Sequence, residues 1–152
     1  MLENLRDLVG KQLGAKDDPA ARERGVRVAT AVLMIEMVRA DAQIMGEEAA
    51  ALHGLLARHF KLAPDEVRGL IAAAEREADS AVSLYGFTKL LNESLDAAEK
   101  SRVLELMWRV ALADQQLDRY EEHLVRKVAD LLYLPNTELV RTRLKVQGSP
   151  SG

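Results

Sequence analysis

Apolar residues recur at intervals of three and four positions along most of this chain, the spacing that places them on one face of an α-helix. Runs of strict apolar–polar alternation bounded by turn dipeptides, the pattern of a half-buried strand, do not occur in the sequence. The pattern therefore predicts an all-α protein, folded as a compact helical bundle of about seven to eight helices.

Helix-start signals divide this periodic pattern into separate elements. Asp18-Pro19 is typical of a first helical turn, and Asp96 and Asp118 each precede a glutamate by three positions, the spacing of a capping box. The segment that starts at Asp79-Ser80 is expected to carry Val82 on its apolar face. The predicted helices cover, approximately, residues 2–13, 19–40, 46–60, 64–77, 79–91, 97–112, 119–132 and 135–146.

Two of these helices are apolar on nearly every side, over residues 28–38 and 103–112. A helix without a polar face is a buried helix. We therefore expect these two to lie side by side at the centre of the bundle, with Met107 and Trp108 packed in its core.

The two buried helices end in related sequences, 73 residues apart. Ala40-Asp41 matches Ala113-Asp114, and Glu48 in the next helix matches Glu121. Further pairs at this offset are Met34 with Met107, Gln43 with Gln116, Ile44 with Leu117, Leu52 with Val125, Leu55 with Val128 and Phe60 with Tyr133. Two copies are too few for a solenoid, so the repeat predicts a pseudo-twofold bundle.

The repeat also predicts the domain organisation. We expect one domain over residues 1–147, with its core at 26–146 and repeat halves at about 26–77 and 99–146. The glycine- and serine-rich residues 148–152 are expected to form a disordered tail.

Composition narrows the possible functions. The chain has 152 residues, and 21 Lys and Arg against 24 Asp and Glu give a net charge of −3, so no broad cationic surface for a nucleic-acid partner is expected. The absence of cysteine excludes disulfides, thiolate metal sites and cysteine nucleophiles.

Residues 1–7 lack the basic start of a signal peptide, and the most apolar stretch, residues 26–40, is interrupted by charges. We expect a cytoplasmic protein without direct membrane insertion.

Oxygen-bearing side chains cluster at the turn that ends each buried helix. An Asp at the helix end and a Glu seven positions later converge if the turn between them is tight, and their oxygens suit calcium or magnesium better than zinc or copper. The candidate ligands are Asp41 and Glu48 in the first turn, beside Gln43 and Glu47, and Asp114, Gln116, Asp118 and Glu121 in the second, beside Glu122.

A local structural role is the alternative for the same acids. Glu121 can complete a capping box with Asp118, and Glu48 can complement the dipole of its helix. Asp41 and Asp114 can accept hydrogen bonds from backbone amides of their turns. In that case the turns bind no ion.

Other chemistries that helical proteins host find no support in the sequence. Arg119 and Val125 stand where an EF-hand loop starting at Asp114 needs Gly and Glu. Di-iron bundles need Glu-x-x-His on two helices, and none of the three histidines follows a glutamate at that spacing. No nucleophile elbow or other hydrolase signature is present. We therefore expect no enzymatic activity.

The doubled turn resembles the TerB-like family of tellurite-resistance proteins, which pairs a helix ending in Ala-Asp-Gly with a Glu-rich helix start. The resemblance covers roughly residues 26–146 and implies an all-helical fold, a bacterial stress-response role and suspected ion ligands in the acidic turns. Ala42 and Gln115 replace the motif glycine, and Met45 in the first turn stands where Asp118 stands in the second.

The sequence thus favours a non-enzymatic TerB-like module that binds a protein partner, with calcium or magnesium at its acidic turns. Because the family includes the amino-terminal module of a membrane-anchored J-domain co-chaperone, a membrane-associated complex is one candidate for the partner. The alternative is a metal-free scaffolding domain.

Overall fold

The computed structural model describes residues 18–40, 46–113 and 117–148, with the backbone alone described at 46–49. These residues form seven α-helices and no strand, which confirms the all-α prediction for the described part of the chain. The helices are α1 (Pro19–Ala40), α2 (Gly46–Phe60), α3 (Pro64–Ser80), α4 (Tyr85–Ser94), α5 (Ala97–Ala111), α6 (Arg119–Leu131) and α7 (Asn136–Gln147). The helix predicted over residues 2–13 and the tail at 149–152 lie outside the described residues.

Side-chain caps fix the starts of three of the described helices, α1, α5 and α6. The Oδ1 atom of Asp18 accepts hydrogen bonds from the backbone N–H groups of Ala20 and Ala21, at 3.1 and 3.3 Å. Asp96 accepts one from the backbone N–H of Glu99 at 2.8 Å, while the Glu99 carboxylate accepts one from the backbone N–H of Asp96 at 2.9 Å. These bonds satisfy donors that the first turn of a helix leaves without partners, so the starts of these helices are set locally.

The prediction that a helix starts at Asp79-Ser80 is wrong. α3 runs through both residues, and the Ser80 hydroxyl donates to the Arg76 carbonyl oxygen at 3.2 Å, inside the last turn. α4 begins only at Tyr85, whose backbone N–H donates to the Ser83 hydroxyl at 3.3 Å. Val82 lies in the connection between the two helices and is 96% exposed, so it does not belong to an apolar face.

The two apolar helices form the centre of the core, as predicted. Residues 29–35 of α1 are all buried, as expected for a helix without a polar face. α5 packs against α1 and buries Met107 and Trp108, which are 0% and 1% exposed. The Trp108 Nε1–H donates to the Thr142 hydroxyl of α7 at 3.1 Å, so the polar atom of this buried indole has a partner.

The packing of the helices has pseudo-twofold symmetry. When α1, α2 and α3 are exchanged with α5, α6 and α7, the α1–α5 contact maps onto itself and the other main contacts among these six helices map onto one another. α1 packs on α2 and α3 as α5 packs on α6 and α7, α2 packs on α3 as α6 packs on α7, and α2 packs on α5 as α6 packs on α1. α4 packs on α1 and α6 and lies outside this repeat.

Matching turns end the second helix of each half. Lys61 and Tyr133 have positive φ angles of 57° and 60°. The next residue in each turn donates its backbone N–H to a carbonyl five positions earlier, Leu62 to Ala57 at 3.0 Å and Leu134 to Ala129 at 2.9 Å. This is the bond that closes a Schellman turn, in which a left-handed residue ends the helix.

These turns shift the repeat by one residue. The starts of α2 and α6 are 73 residues apart, whereas Lys61 and Tyr133 are 72 apart. The predicted pairing of Phe60 with Tyr133 is therefore wrong at this turn, where Lys61 is the structural counterpart of Tyr133. The first half holds one residue more than the second between these two points.

Among the described residues, no helix combines the length and the apolarity needed to cross a membrane.

Candidate functional site

The acidic turns fall largely on the gaps between the described segments. Asp41, Asp114 and Gln116 lie outside the described residues, and Glu48 lies in the part of α2 where the backbone alone is described. In the second turn, Asp118 and Glu121 are described with their side chains.

Asp118 and Glu121 form the capping box of α6. The Asp118 Oδ1 atom accepts a hydrogen bond from the backbone N–H of Tyr120 at 2.7 Å, and the backbone N–H of Asp118 donates to Glu121 Oε1 at 3.2 Å. Glu121 is 0% exposed. Full burial of a carboxylate is uncommon and was not expected from the sequence, because a first-turn acid normally lies at the surface.

The next residue, Glu122, forms ion pairs at the surface. Glu122 accepts from the Arg143 guanidinium of α7 at 3.1 Å and lies 3.8 Å from that of Arg126. Within the described segments, no three His, Asp or Glu side chains are grouped so that they could hold a metal ion. The cation site at the acidic turns stays a prediction, because its leading residues are outside those segments.

A groove on another face of the bundle joins four helices. Its cavity volume is about 650 Å³, within the range of small-molecule sites. The residues that line it are Pro19, Arg22, Glu23, Val26 and Thr30 of α1, His59 and Phe60 of α2, Ser94 at the end of α4 with Leu95 after it, and Glu99, Arg102 and Val103 of α5. We call it the α1–α5 groove.

The carboxylates of the groove are engaged, whereas one of its arginines is not. Glu23 pairs with Arg27 at 2.9 Å, and Glu99 accepts the backbone N–H of Asp96 in the capping box. The exposed guanidinium of Arg102 forms no ion pair or hydrogen bond with any other described residue. The Arg102 guanidinium is therefore available to a bound anion.

Two hydroxyl groups of the groove residues are buried without a hydrogen-bond partner in the described part of the chain. They belong to Thr30, which is 0% exposed, and to Ser94. A buried hydroxyl without a partner costs roughly 1–3 kcal/mol, so such groups are rare in folded proteins.

A smaller depression of about 270 Å³ adjoins the groove, and both are lined by His59 and Arg102. It adds a second guanidinium, that of Arg58, for which the described residues supply no ion pair. Burial lowers the pKa of His59, and the Arg102 charge lowers it further, while Glu105 opposes them. Glu105 itself pairs with Lys145 at 3.2 Å.

A family model described as "Tellurite resistance protein TerB" matches residues 27–144. The chain belongs to this family. Searches of the curated proteins and of the solved structures gave no match.

The match to the TerB family runs from within α1 to within α7, so it contains both halves of the pseudo-twofold bundle. It also contains both acidic turns and eight of the twelve residues that line the α1–α5 groove. The resemblance seen in the doubled Ala-Asp turn is confirmed.

The sequence did not reveal the α1–α5 groove. The sequence shows two features of the groove, but separately. One is the polar strip that includes Arg102 on an otherwise apolar helix, and the other is His59 at the end of α2. Thr30 gave no signal, because a threonine within a buried helix usually bonds its own backbone. Only the packing of α1, α2, α4 and α5 brings these residues together.

Proposed function

We propose that this chain is a non-enzymatic binding module of the tellurite-resistance stress response, and that it acts in the cytoplasm by contacting a protein partner. The observation that carries the proposal is an apolar surface on α7. Val140 and Leu144 lie one helical turn apart and are 47% and 61% exposed, so their side chains share one face of the helix. A contiguous exposed apolar patch on a helix is a candidate contact surface for a protein partner.

The opposite face of α7 anchors this surface to the core. Leu139, Thr142 and Val146 are buried there, and Thr142 accepts the hydrogen bond from Trp108. The partner-binding face is therefore presented by a helix whose position is fixed, which lowers the entropy lost on binding.

Capture from a lysate of the source organism tests the partner-binding role. The double variant Val140→Lys, Leu144→Lys should lose proteins that the wild-type chain retains, because charged side chains would have to be desolvated in the contact. Val82→Lys is the matched control, since Val82 is a fully exposed valine in the α3–α4 connection. Equal capture by all three chains would contradict the proposal. Loss of tellurite tolerance with the double variant alone would link the surface to the stress response.

The second part of the proposal is a calcium or magnesium ion at the acidic turns. Its support is the recurrence of Asp41 and Glu48 as Asp114 and Glu121 at equivalent positions of the sequence repeat. A specific observation favours the metal-free alternative, namely that Asp118 and Glu121 already cap α6. Isothermal titration with each ion distinguishes the two, because a metal-free scaffold gives no saturable heat.

A further inference from the structure

We propose that the α1–α5 groove binds a small organic anion, with its acidic group at Arg102 and its apolar part against Phe60 and Val103. This inference is independent of the partner-binding surface on α7 and of the acidic turns. The ligand class follows from three features of the groove: its charge, its unpartnered hydroxyls and its apolar wall.

The charge comes from guanidinium groups. Arg102 of the groove and Arg58 of the adjoining depression have no ion-pair partner among the residues that the structure describes. The acids nearby bond Arg27, Lys145 and a backbone N–H, and none of them forms an ion pair with these two groups. A guanidinium presents several N–H donors in a planar fork, which suits the oxygens of a carboxylate or a phosphate.

The hydroxyls of Thr30 and Ser94 are the second feature. Both residues line the groove, and both hydroxyl oxygens are shielded from solvent with no partner in the described segments. A ligand oxygen seated beside them would supply the missing partner after a rotation about the Cα–Cβ bond of either side chain. An apolar ligand would leave them unsatisfied, so the pair favours a ligand that carries oxygen atoms.

The third feature, the apolar wall of the groove, indicates that the part of the ligand beyond its acidic group is apolar. Val26, Phe60, Leu95 and Val103 also line the groove, and a cavity of about 650 Å³ is larger than an inorganic ion requires. An anion with a hydrocarbon body therefore fits better than free phosphate or sulfate.

The test uses the full chain, isotopically labelled, with benzoate, phenyl phosphate and benzyl alcohol as probes. We expect at least one of the two anions to shift backbone amide resonances of residues that line the groove, in a saturable way, and benzyl alcohol to shift them weakly. The anion that binds more tightly distinguishes a carboxylate ligand from a phosphate ligand.

Two variants make the test specific. Arg102→Gln should weaken anion binding about tenfold or more, because it removes a charge-assisted hydrogen bond. Arg76→Gln, which removes an exposed charge from α3, should leave binding unchanged. Thr30→Val is nearly isosteric and removes the buried hydroxyl, so it should leave the fold intact and reduce the preference for the anion over the alcohol.

The proposal is overturned if neither anion shifts the groove resonances at millimolar concentration. It is equally overturned if Arg102→Gln and Arg76→Gln weaken binding to the same extent, which would indicate attraction to net charge alone. Binding of the alcohol as tight as that of the anions would also contradict it.

Discussion

Trp108 shows how one side chain links two helices of the bundle at the residue scale. Its ring is 1% exposed, its Nε1–H donates to Thr142, and the Arg143 guanidinium lies 5.5 Å from the ring centroid. Trp108→Ala should lower the free energy of unfolding by about 3–5 kcal/mol, because the surrounding core cannot fill the space left by an indole. Urea denaturation measures the loss. A loss below about 1 kcal/mol would contradict the central position of α5.

Glu138 is a second residue whose contacts make a measurable prediction. Its carboxylate accepts hydrogen bonds from Arg141 at 2.8 and 2.9 Å and from the Ser101 hydroxyl at 2.6 Å. The Arg141 bonds, followed by the Ser101 bond, lower the pKa of Glu138 from 4.5 to about 2. A carboxylate whose pKa is lower in the folded state stabilises the fold above its unfolded pKa, and this stabilisation is lost as the pH falls from about 4.5 towards 2.

Glu138→Gln should therefore destabilise the chain at pH 7 by about 1 kcal/mol, a small value because Arg141 is half exposed and solvent screens the pair. The difference from wild type should shrink as the pH falls below about 4.5, since the wild-type carboxylate then becomes neutral as well. Urea denaturation at several pH values gives the curve. Glu93→Gln, which removes an exposed pair with Lys89, is the control and should cost less. A difference that is constant with pH would show that charge is not the cause.

At the scale of single helices, the sequence predicts the starts better than the ends. The capping boxes at Asp96 and Asp118 are as expected, because a cap involves only residues three positions apart. Asp79-Ser80 misleads because the same residue types are also accepted in a last turn, where the Ser80 hydroxyl bonds a carbonyl within its own helix. Local chemistry alone does not distinguish these two situations; the packing of α3 against α1 and α2 does.

The turns that end α2 and α6 are a second feature that local sequence does not predict. Neither Lys61 nor Tyr133 is a glycine, the usual residue at a left-handed helix end, so their positive φ angles could not be predicted from the residue types. The leucine that follows each of these residues explains why the turns form nonetheless. Leu134 after Tyr133 is 7% exposed, and Leu62 after Lys61 packs partly buried against the core, so each turn is held by the packing of the next residue.

At the scale of the whole molecule, the repeat in the sequence predicts the symmetry of the packing, because equivalent apolar faces bury equivalent partners. The α1–α5 groove could not be predicted in this way. Thr30, His59, Ser94 and Arg102 come from four helices, and no spacing along the chain relates them. A motif that recurs can be read from sequence, whereas a site assembled by tertiary packing requires the fold.

The repeat allows the expected cation affinities of the two acidic turns to be compared. If a cation binds, the turn containing Asp114, Gln116, Asp118 and Glu121 should bind it more tightly, because Asp118 supplies a carboxylate where the first turn has Met45. Asp114→Asn should then remove most binding, and Asp41→Asn should weaken it less. Thermal melts with calcium, magnesium or chelator measure this, since a bound ion raises the melting temperature with the logarithm of its concentration above the dissociation constant.

The capping role predicts a different outcome for the same melts. Asp118→Ala should cost about 0.5–2 kcal/mol with or without metal, because the hydrogen bond from Tyr120 N–H to Asp118 is lost in either case. A larger cost in calcium or magnesium than in chelator would show that Asp118 also serves as a ligand. If neither ion at millimolar concentration moves the wild-type melting temperature, the two turns are helix caps that a duplicated bundle uses twice, and the cation proposal fails.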